Sequence, residues 1–430
     1  MIRRVRCFCI GSIGVFSLVG CATTHPQNHT KAEPITTNRV VTDTIRTAPA
    51  TSQPSNEPAQ MPEPDLEPDL PNPKLDPAPE SDTFDSQYSH LTYWQNTDPR
   101  PALTAFQKTC RSWKKRDKQA WLSKGNSQFG QIKDWLPACR KVLDIDKPFQ
   151  TDAIHFFQTH FEPVISQSPQ DTGLLTGYYA PEIAVRKTAN AEFNAPLLAR
   201  PNVSAIQNLP RSALSDQSAT ALAYGRPIDV FFLQIQGSGQ IKFKDGTTFM
   251  AAYNGHNGHI YKSIGRVLIQ NGELKKGAVS KQAIETWMQN VGVERAQDLM
   301  NNNPRYIYFK LEPIKKGVGP KGAAGVPLTP MGSLAIDPRN YPYGLPIWLE
   351  ANLPVKGGDF DGQATGLLVI TQDTGSAIKG KGRGDLYFGI GGAAGAKAGV
   401  MKHKARWTVL LPTALAIKLA EENTETKPSS

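Results

Sequence analysis

GLLVITQDTGSAIKGKGRGDLYFG, residues 366–389, decides how this chain folds. An apolar run of branched residues, Gly366 to Thr371, ends at Asp373. A glycine- and lysine-rich connection follows, and Asp385 opens a second apolar run through Phe388. Short apolar runs bounded by turn residues read as strands, so each aspartate lies at the end or start of an apolar strand. Asp before Thr-Gly is also ordinary turn chemistry, because the carboxylate accepts local backbone N–H bonds. Either aspartate alone reads as a turn residue.

Working outward, more runs of the same kind appear at Asp229 to Ile235, Ser333 to Ile336, Pro346 to Glu350 and Trp407 to Leu411. Helical spacing links Leu103, Phe106, Cys110 and Trp113, and also Ile284, Trp287 and Val291 behind the N-cap candidate Ser280. Many short strands with Gly, Pro and Asn turns predict a mainly β, barrel-like architecture with added helices. Roughly 335 residues beyond Tyr88 exceed what one core usually serves, which predicts two domains. No repeat period is present, which excludes a solenoid.

The amino terminus is different. Arg3, Arg4 and Arg6 precede an apolar stretch from Cys9 to Val19 and the string Leu18-Val19-Gly20-Cys21, a segment shorter than the roughly 20 residues a spanning helix needs. Residues 1–20 read as a lipoprotein signal peptide and Cys21 as the acylated residue, whose chains would hold the protein at a membrane. Residues 21–86 are Thr, Pro, Gln, Asp and Glu with few large apolar side chains, a composition too poor in apolar surface to fold. As a tether they would reach on the order of 45 Å. Cys7 and Cys9 leave with the signal, so Cys110 and Cys139 remain as a possible disulfide or as two buried thiols.

The net charge of +10 lies on the folded part, because acid concentrates between Glu57 and Glu80. Such a balance suits polyanions. An exported chain does not meet nucleic acid, and the carboxylates of the cell wall are the anions at hand. No metal constellation is present: His256 and His259 lack further ligands at useful spacing. Neither a Gly-x-Ser-x-Gly elbow nor a His-Glu-x-x-His helix occurs, which removes the serine-hydrolase and zinc-amidase readings. No cofactor is expected.

Asp337 in Ser-Leu-Ala-Ile-Asp-Pro-Arg-Asn-Tyr-Pro-Tyr-Gly completes a set of three aspartates with Asp373 and Asp385. In order and spacing the set resembles the three-aspartate domain of the MltA-type lytic transglycosylases, a double-psi β-barrel. Leu175-Thr176-Gly177-Tyr178-Tyr179, Phe232-Leu233-Gln234-Ile235-Gln236-Gly237-Ser238-Gly239, Asn257-Gly258 with Tyr261 to Arg266, and Asn303-Pro304-Arg305-Tyr306 are similar to further segments of that family, in the same order. Ala180, Asn254 and Ile260 depart from its pattern, which touches the details of sugar contact. The resemblance implies a barrel domain from residues 87–184 and 303–425, with a smaller β domain, 185–302, inserted between them and a glycan cleft at the junction.

It further implies cleavage of peptidoglycan glycan strands without water, by attack of the muramic acid C6 hydroxyl on its own C1, giving 1,6-anhydro ends. One carboxyl group can then act first as acid and afterwards as base. The resemblance places that role on Asp385, with Asp373 supporting and Asp337 holding a turn. Thr176, Tyr178, Tyr179, Gln234, Gln236, Ser238 and Asn257 are the implied sugar-binding residues. Lys379, Lys381 and Arg383 would lower the pKa of Asp385 if they faced it, and a charged Asp373 would raise it. Ala22 after Cys21, by the same kind of resemblance, implies the outer membrane, facing the periplasm. The competing readings are a non-catalytic wall-binding lipoprotein on the same barrel and a hydrolase that pairs Asp373 with Asp385. Their separation would distinguish a retaining from an inverting hydrolase.

Overall fold

The computed structural model describes residues 88–164, 172–315, 317–357 and 362–425. The signal, Cys21 and the tether lie outside them.

Thirteen strands among the described residues form two sheets. β1 (Phe161–Val164) and β2 (Gly173–Ala180) enter the first. The chain then builds the second from β3 (Glu182–Arg186), β4 (Ala195–Leu198), β5 (Ala221–Gly225), β6 (Gly239–Phe243), β7 (Thr248–His256) and β8 (Ile307–Pro313). It returns to the first with β9 (Ser333–Ala335), β10 (Pro346–Leu353), β11 (Gln363–Asp373), β12 (Arg383–Ile390) and β13 (Lys402–Pro412). The first sheet runs β1-β13-β10-β11-β9-β12-β2, and β13 also pairs with β2. That last pairing closes six strands into a barrel, which removes the open edges a flat sheet would expose.

The five strand runs read near and around residues 333–411 are therefore strands. Asp229 to Ile235 is not: it lies in a helix, Pro227–Gln236. One face of this helix, with Val230 and Leu233, packs on the second sheet, while Phe231 and Phe232 pack on the helices Ile264–Gln270, Lys281–Asn290 and Val293–Asn301. A helix covered on both sides is apolar all round and loses the amphipathic signature, so its sequence looks like a buried strand. Its punctuation was helical nonetheless. Pro227 sits in the first turn, and Gly237 ends it with φ of 83°, a left-handed position suited to glycine.

The second sheet also crosses the boundaries expected from sequence. β3 pairs with β6 from Glu182 onward, and β8 pairs with β7 from Ile307 to Pro313, so the chain belongs to the inserted lobe on both sides of residues 185–302. Backbone pairing, not composition, sets those limits.

Helices Arg100–Trp113, Ile132–Leu143 and Gln150–His160 pack on the barrel. The apolar positions expected in the first of them, Leu103, Phe106, Cys110 and Trp113, are all buried. Phe106, Trp113, Trp135, Phe156, Phe157 and Phe161 form a network of tilted and edge-on ring pairs between these helices and β1. Cys110 and Cys139 are joined in a disulfide that links the first two helices, with Cα atoms 5.2 Å apart. Ser280 caps its helix, accepting from the Ala283 amide as expected.

Candidate active site

The site begins with strand register. Asp385 on β12 stands opposite Ala335 on β9, and Asp373 on β11 stands opposite the same Ala335 from the other side. Thr176 on β2 is the other neighbour of Asp385, and Lys402 on β13 is the next neighbour of Thr176. Directly opposed residues project to one face, so Asp373, Ala335, Asp385, Thr176 and Lys402 form a transverse row across five strands.

A bulge puts Asp373 in that row. Thr371 pairs with Leu334 and Asp373 with Ala335, leaving Gln372 as the extra residue. Without it Asp373 would point to the opposite face. Gln372 is fully buried and fastened on three sides: its Nε2 donates to Ala105 O and Thr109 Oγ1, each at 2.8 Å, and its Oε1 accepts from Ser333 Oγ at 2.6 Å. Nothing in the sequence around Asp373 announces the bulge.

The two acids are held differently. Asp373 Oδ1 accepts from the amides of Ala323 and Thr374, both at 2.9 Å, and Oδ2 accepts from Tyr178 OH at 2.9 Å. Burial pushes its carboxyl up, and the charge of Asp385 adds to this, against those three donors. Asp385 has one such donor, Thr176 Oγ1, 2.5 Å from Oδ1. Burial pushes Asp385 up as well, opposed by the Arg383 guanidinium and the Thr176 hydroxyl. Both carboxyls are thus raised by burial, Asp373 against three hydrogen-bond donors and Asp385 against one hydroxyl and the Arg383 guanidinium. Of the three cations in the connecting loop, Arg383 is the one that acts on Asp385, while Lys379 and Lys381 are exposed.

Asp337 has a separate task. It is fully buried, accepts from Arg339 and from the amides of Arg339 and Gly380, and opens the turn 337–341. Burial alone would raise its carboxyl, but these donors outweigh burial and hold it below the usual range. The structural role read for it fits this geometry. Gly380, at φ of 93°, supplies one of the amides from a left-handed position.

A cleft of about 240 Å³ opens beside the row, lined by Thr176 and Tyr179 of the barrel, Lys402 at the start of β13, and Gln236, Ser280 and Lys281 of the inserted lobe. Asp385 lies one strand in from it, joined to it through Thr176, and stays partly exposed. The remaining sugar-binding candidates are engaged elsewhere. Tyr178 donates to Asp373 and packs on Tyr387, with ring centroids 5.2 Å apart. Gln234 is buried inside the inserted lobe and accepts from Arg211. Asn257 is buried too, bridging Leu209 O, Pro304 O and the Tyr306 amide. Ser238 Oγ accepts from the Tyr253 amide. Gln236 both lines the cleft and accepts from the Tyr179 amide, 3.1 Å away, stitching the lobes together. Arg383 and Lys402 were the site groups whose roles the sequence left open or unseen. Their alternation along a strand was legible, but not which neighbours they would meet.

Residues 202–310 match the model of the MltA specific insert domain, and residues 332–411 that of the 3D domain. The chain is 31% identical over 288 residues to the membrane-bound lytic murein transglycosylase A homolog of Buchnera aphidicola, covering 65% of this chain and 75% of that protein. The chain belongs to the MltA family. It is also 38% identical over 241 residues to membrane-bound lytic murein transglycosylase A of Escherichia coli K12, a match covering 55% of this chain and 64% of that protein, somewhat less than two thirds of its length. Among solved MltA-type structures, that of Agrobacterium tumefaciens superimposes with a TM-score of 0.66 at 25% identity, covering 77% of this chain and 98% of that one. E. coli MltA with bound chitohexaose superimposes with a TM-score of 0.57 at 30% identity, covering 72% and 89%. The mainly β fold with two barrel-like sheets is thus the MltA fold. Among the described residues no helix is long and apolar enough to cross a membrane.

Proposed function

We propose that the chain is a peptidoglycan lytic transglycosylase that cleaves the β-1,4 bond between N-acetylmuramic acid and N-acetylglucosamine and leaves 1,6-anhydro ends. One observation carries this reading: beside a cleft between two lobes, Asp385 is raised by burial while Asp373, on the same face, is occupied by three donors. With both oxygens engaged, Asp373 is not free to act as a nucleophile or a water-activating base, which disfavours the paired-carboxylate hydrolase. The family and the chitohexaose in the E. coli relative support a glycan substrate.

In the reaction, the Asp385 proton passes to the glycosidic oxygen as the C1–O bond breaks. The carboxylate left behind takes the proton of the C6 hydroxyl as that oxygen bonds to C1, which restores the acid. Arg383 and Thr176 stabilise the carboxylate between the two transfers, and the Asp373 charge favours positive charge developing at the sugar ring. Thr176, Tyr179 and Gln236 contact sugar; Gln234, Ser238 and Asn257 hold the inserted lobe in shape. The signal at residues 1–20, Cys21 as the acylated residue and Ala22 after it support a location at the outer membrane, facing the periplasm, with residues 21–86 as a tether. Digestion of purified sacculi with mass spectrometry of the products tests the reaction. Anhydro-muropeptides are expected from the wild type and none from Asp385→Asn, with a rate loss of 10²-fold or more, the scale of removing a general acid. Reducing-end products would make it a hydrolase, and binding without release by either protein would make it a wall-binding module.

A further inference from the structure

Lys402 is the one charged member of the transverse row that the chemistry above does not use. It stands opposite Thr176, which stands opposite Asp385, so its stem leaves the same face two strands, or about 10 Å, from the acid. Its side chain lines the cleft and is half-buried. Lys281, the other lysine of the cleft wall, is paired with Glu285 at 2.6 Å. Lys402 has no such counter-ion: no acidic side chain among the described residues lies within ion-pair distance of it. Burial, and after it the charge of Lys276, lower its pKa. An ammonium partly withdrawn from water beside a second cation, with no anion of its own, gains most when a ligand supplies one.

We infer that Lys402 receives a carboxylate of the muramic acid side group and so makes the site prefer muramyl glycan over chitin-type glycan. This rests on the lyase reading and names the group that reading leaves unrecognised. The carboxylate has two sources. It is the lactyl ether group where the peptide has been removed, and a stem-peptide carboxylate where the peptide is present. Neutral oligomers of N-acetylglucosamine carry neither.

The test measures binding by calorimetry on the full chain with Asp385→Asn as parent, so that no ligand is consumed. Three probes are used: chitohexaose, glycan stripped of peptides, and glycan with peptides intact. The parent is expected to bind at least one acidic glycan about tenfold more tightly than chitohexaose, the scale of a charge-assisted bond. Adding Lys402→Gln erases that preference and leaves chitohexaose affinity within about twofold, while Lys402→Arg keeps the preference. A loss confined to stripped glycan assigns the lactyl group, and one confined to intact glycan assigns the stem peptide. A preference that survives Lys402→Gln, or an equal loss on all three probes, overturns the inference. Binding of chitohexaose with no preference in the parent overturns it while leaving the lyase reading intact, whereas a parent that binds no glycan defeats both.

Discussion

Burial raises the Asp385 carboxyl against Arg383 and Thr176, and the balance has consequences for both the activity and the stability of the fold. A carboxyl whose pKa is raised by folding binds its proton more tightly in the native state. Its contribution is therefore lost as pH rises from the ordinary carboxylate range through the raised value, and at neutral pH the buried acid is a net liability. Asp385→Asn, which cannot ionise, is expected to raise the melting temperature at pH 7 and to leave it nearly unchanged at pH 3; thermal scans at the two values check this. Activity follows the same sign, failing as pH rises through the Asp385 value because the acid form is spent. If Asp373 serves as the charged partner, activity is expected to fail on the acidic side as it protonates. Tyr178→Phe removes a donor that favours ionised Asp373, so the acidic limb of the pH–rate profile should move to higher pH, with the alkaline limb moving less. An acidic limb that stays in place would show that the Tyr178 hydroxyl does not serve Asp373. The acids were singled out by the family resemblance, because an aspartate at the end of an apolar run is by itself ordinary turn chemistry. The donors were not: the Ala323 amide lies 50 residues from Asp373 and enters through tertiary folding.

At the scale of elements, the bulge at Gln372 is what brings two acids to one face. Gln372→Ala strips the buried Ser333 hydroxyl, Ala105 carbonyl and Thr109 hydroxyl of a shared partner. The expected cost is about 2 kcal/mol or more, the penalty of buried polar groups left unpaired, with activity falling alongside stability. Urea unfolding followed by the sacculus assay measures both, and full activity in a destabilised variant would separate the bulge from the aim of Asp373. The same scale shows where pattern reading works. Strands β9 to β13 stand where short branched runs bounded by Gly and Pro placed them, because burial on two faces selects such residues. Pro227–Gln236 defeated the same rule for the same reason, burial on two faces, this time of a helix.

For the molecule as a whole, the two sheets carry separate cores, whose limits follow hydrogen-bonded pairing that composition does not report. Separate cores predict two unfolding transitions instead of one. The Cys110–Cys139 bridge belongs to the barrel lobe and closes a loop with a sequence separation of 29. Reduction should lower the barrel transition by about 3–4 kcal/mol and leave that of the inserted lobe in place. Calorimetry with and without reductant resolves them. A single transition, or two that shift together, would show that the lobes unfold as one.

Closure of the barrel also imposes a schedule. The partner of Thr176 is Asp385, 209 residues later in the chain. A ribosome adding about 5–20 residues per second needs roughly 10–40 s to make that stretch. Throughout that interval β2 has no edge to join, and before its end every strand of the inserted lobe has been made. The lobe that shapes one wall of the cleft is thus complete before the barrel that supplies the acid can begin to close, and the acid is assembled last.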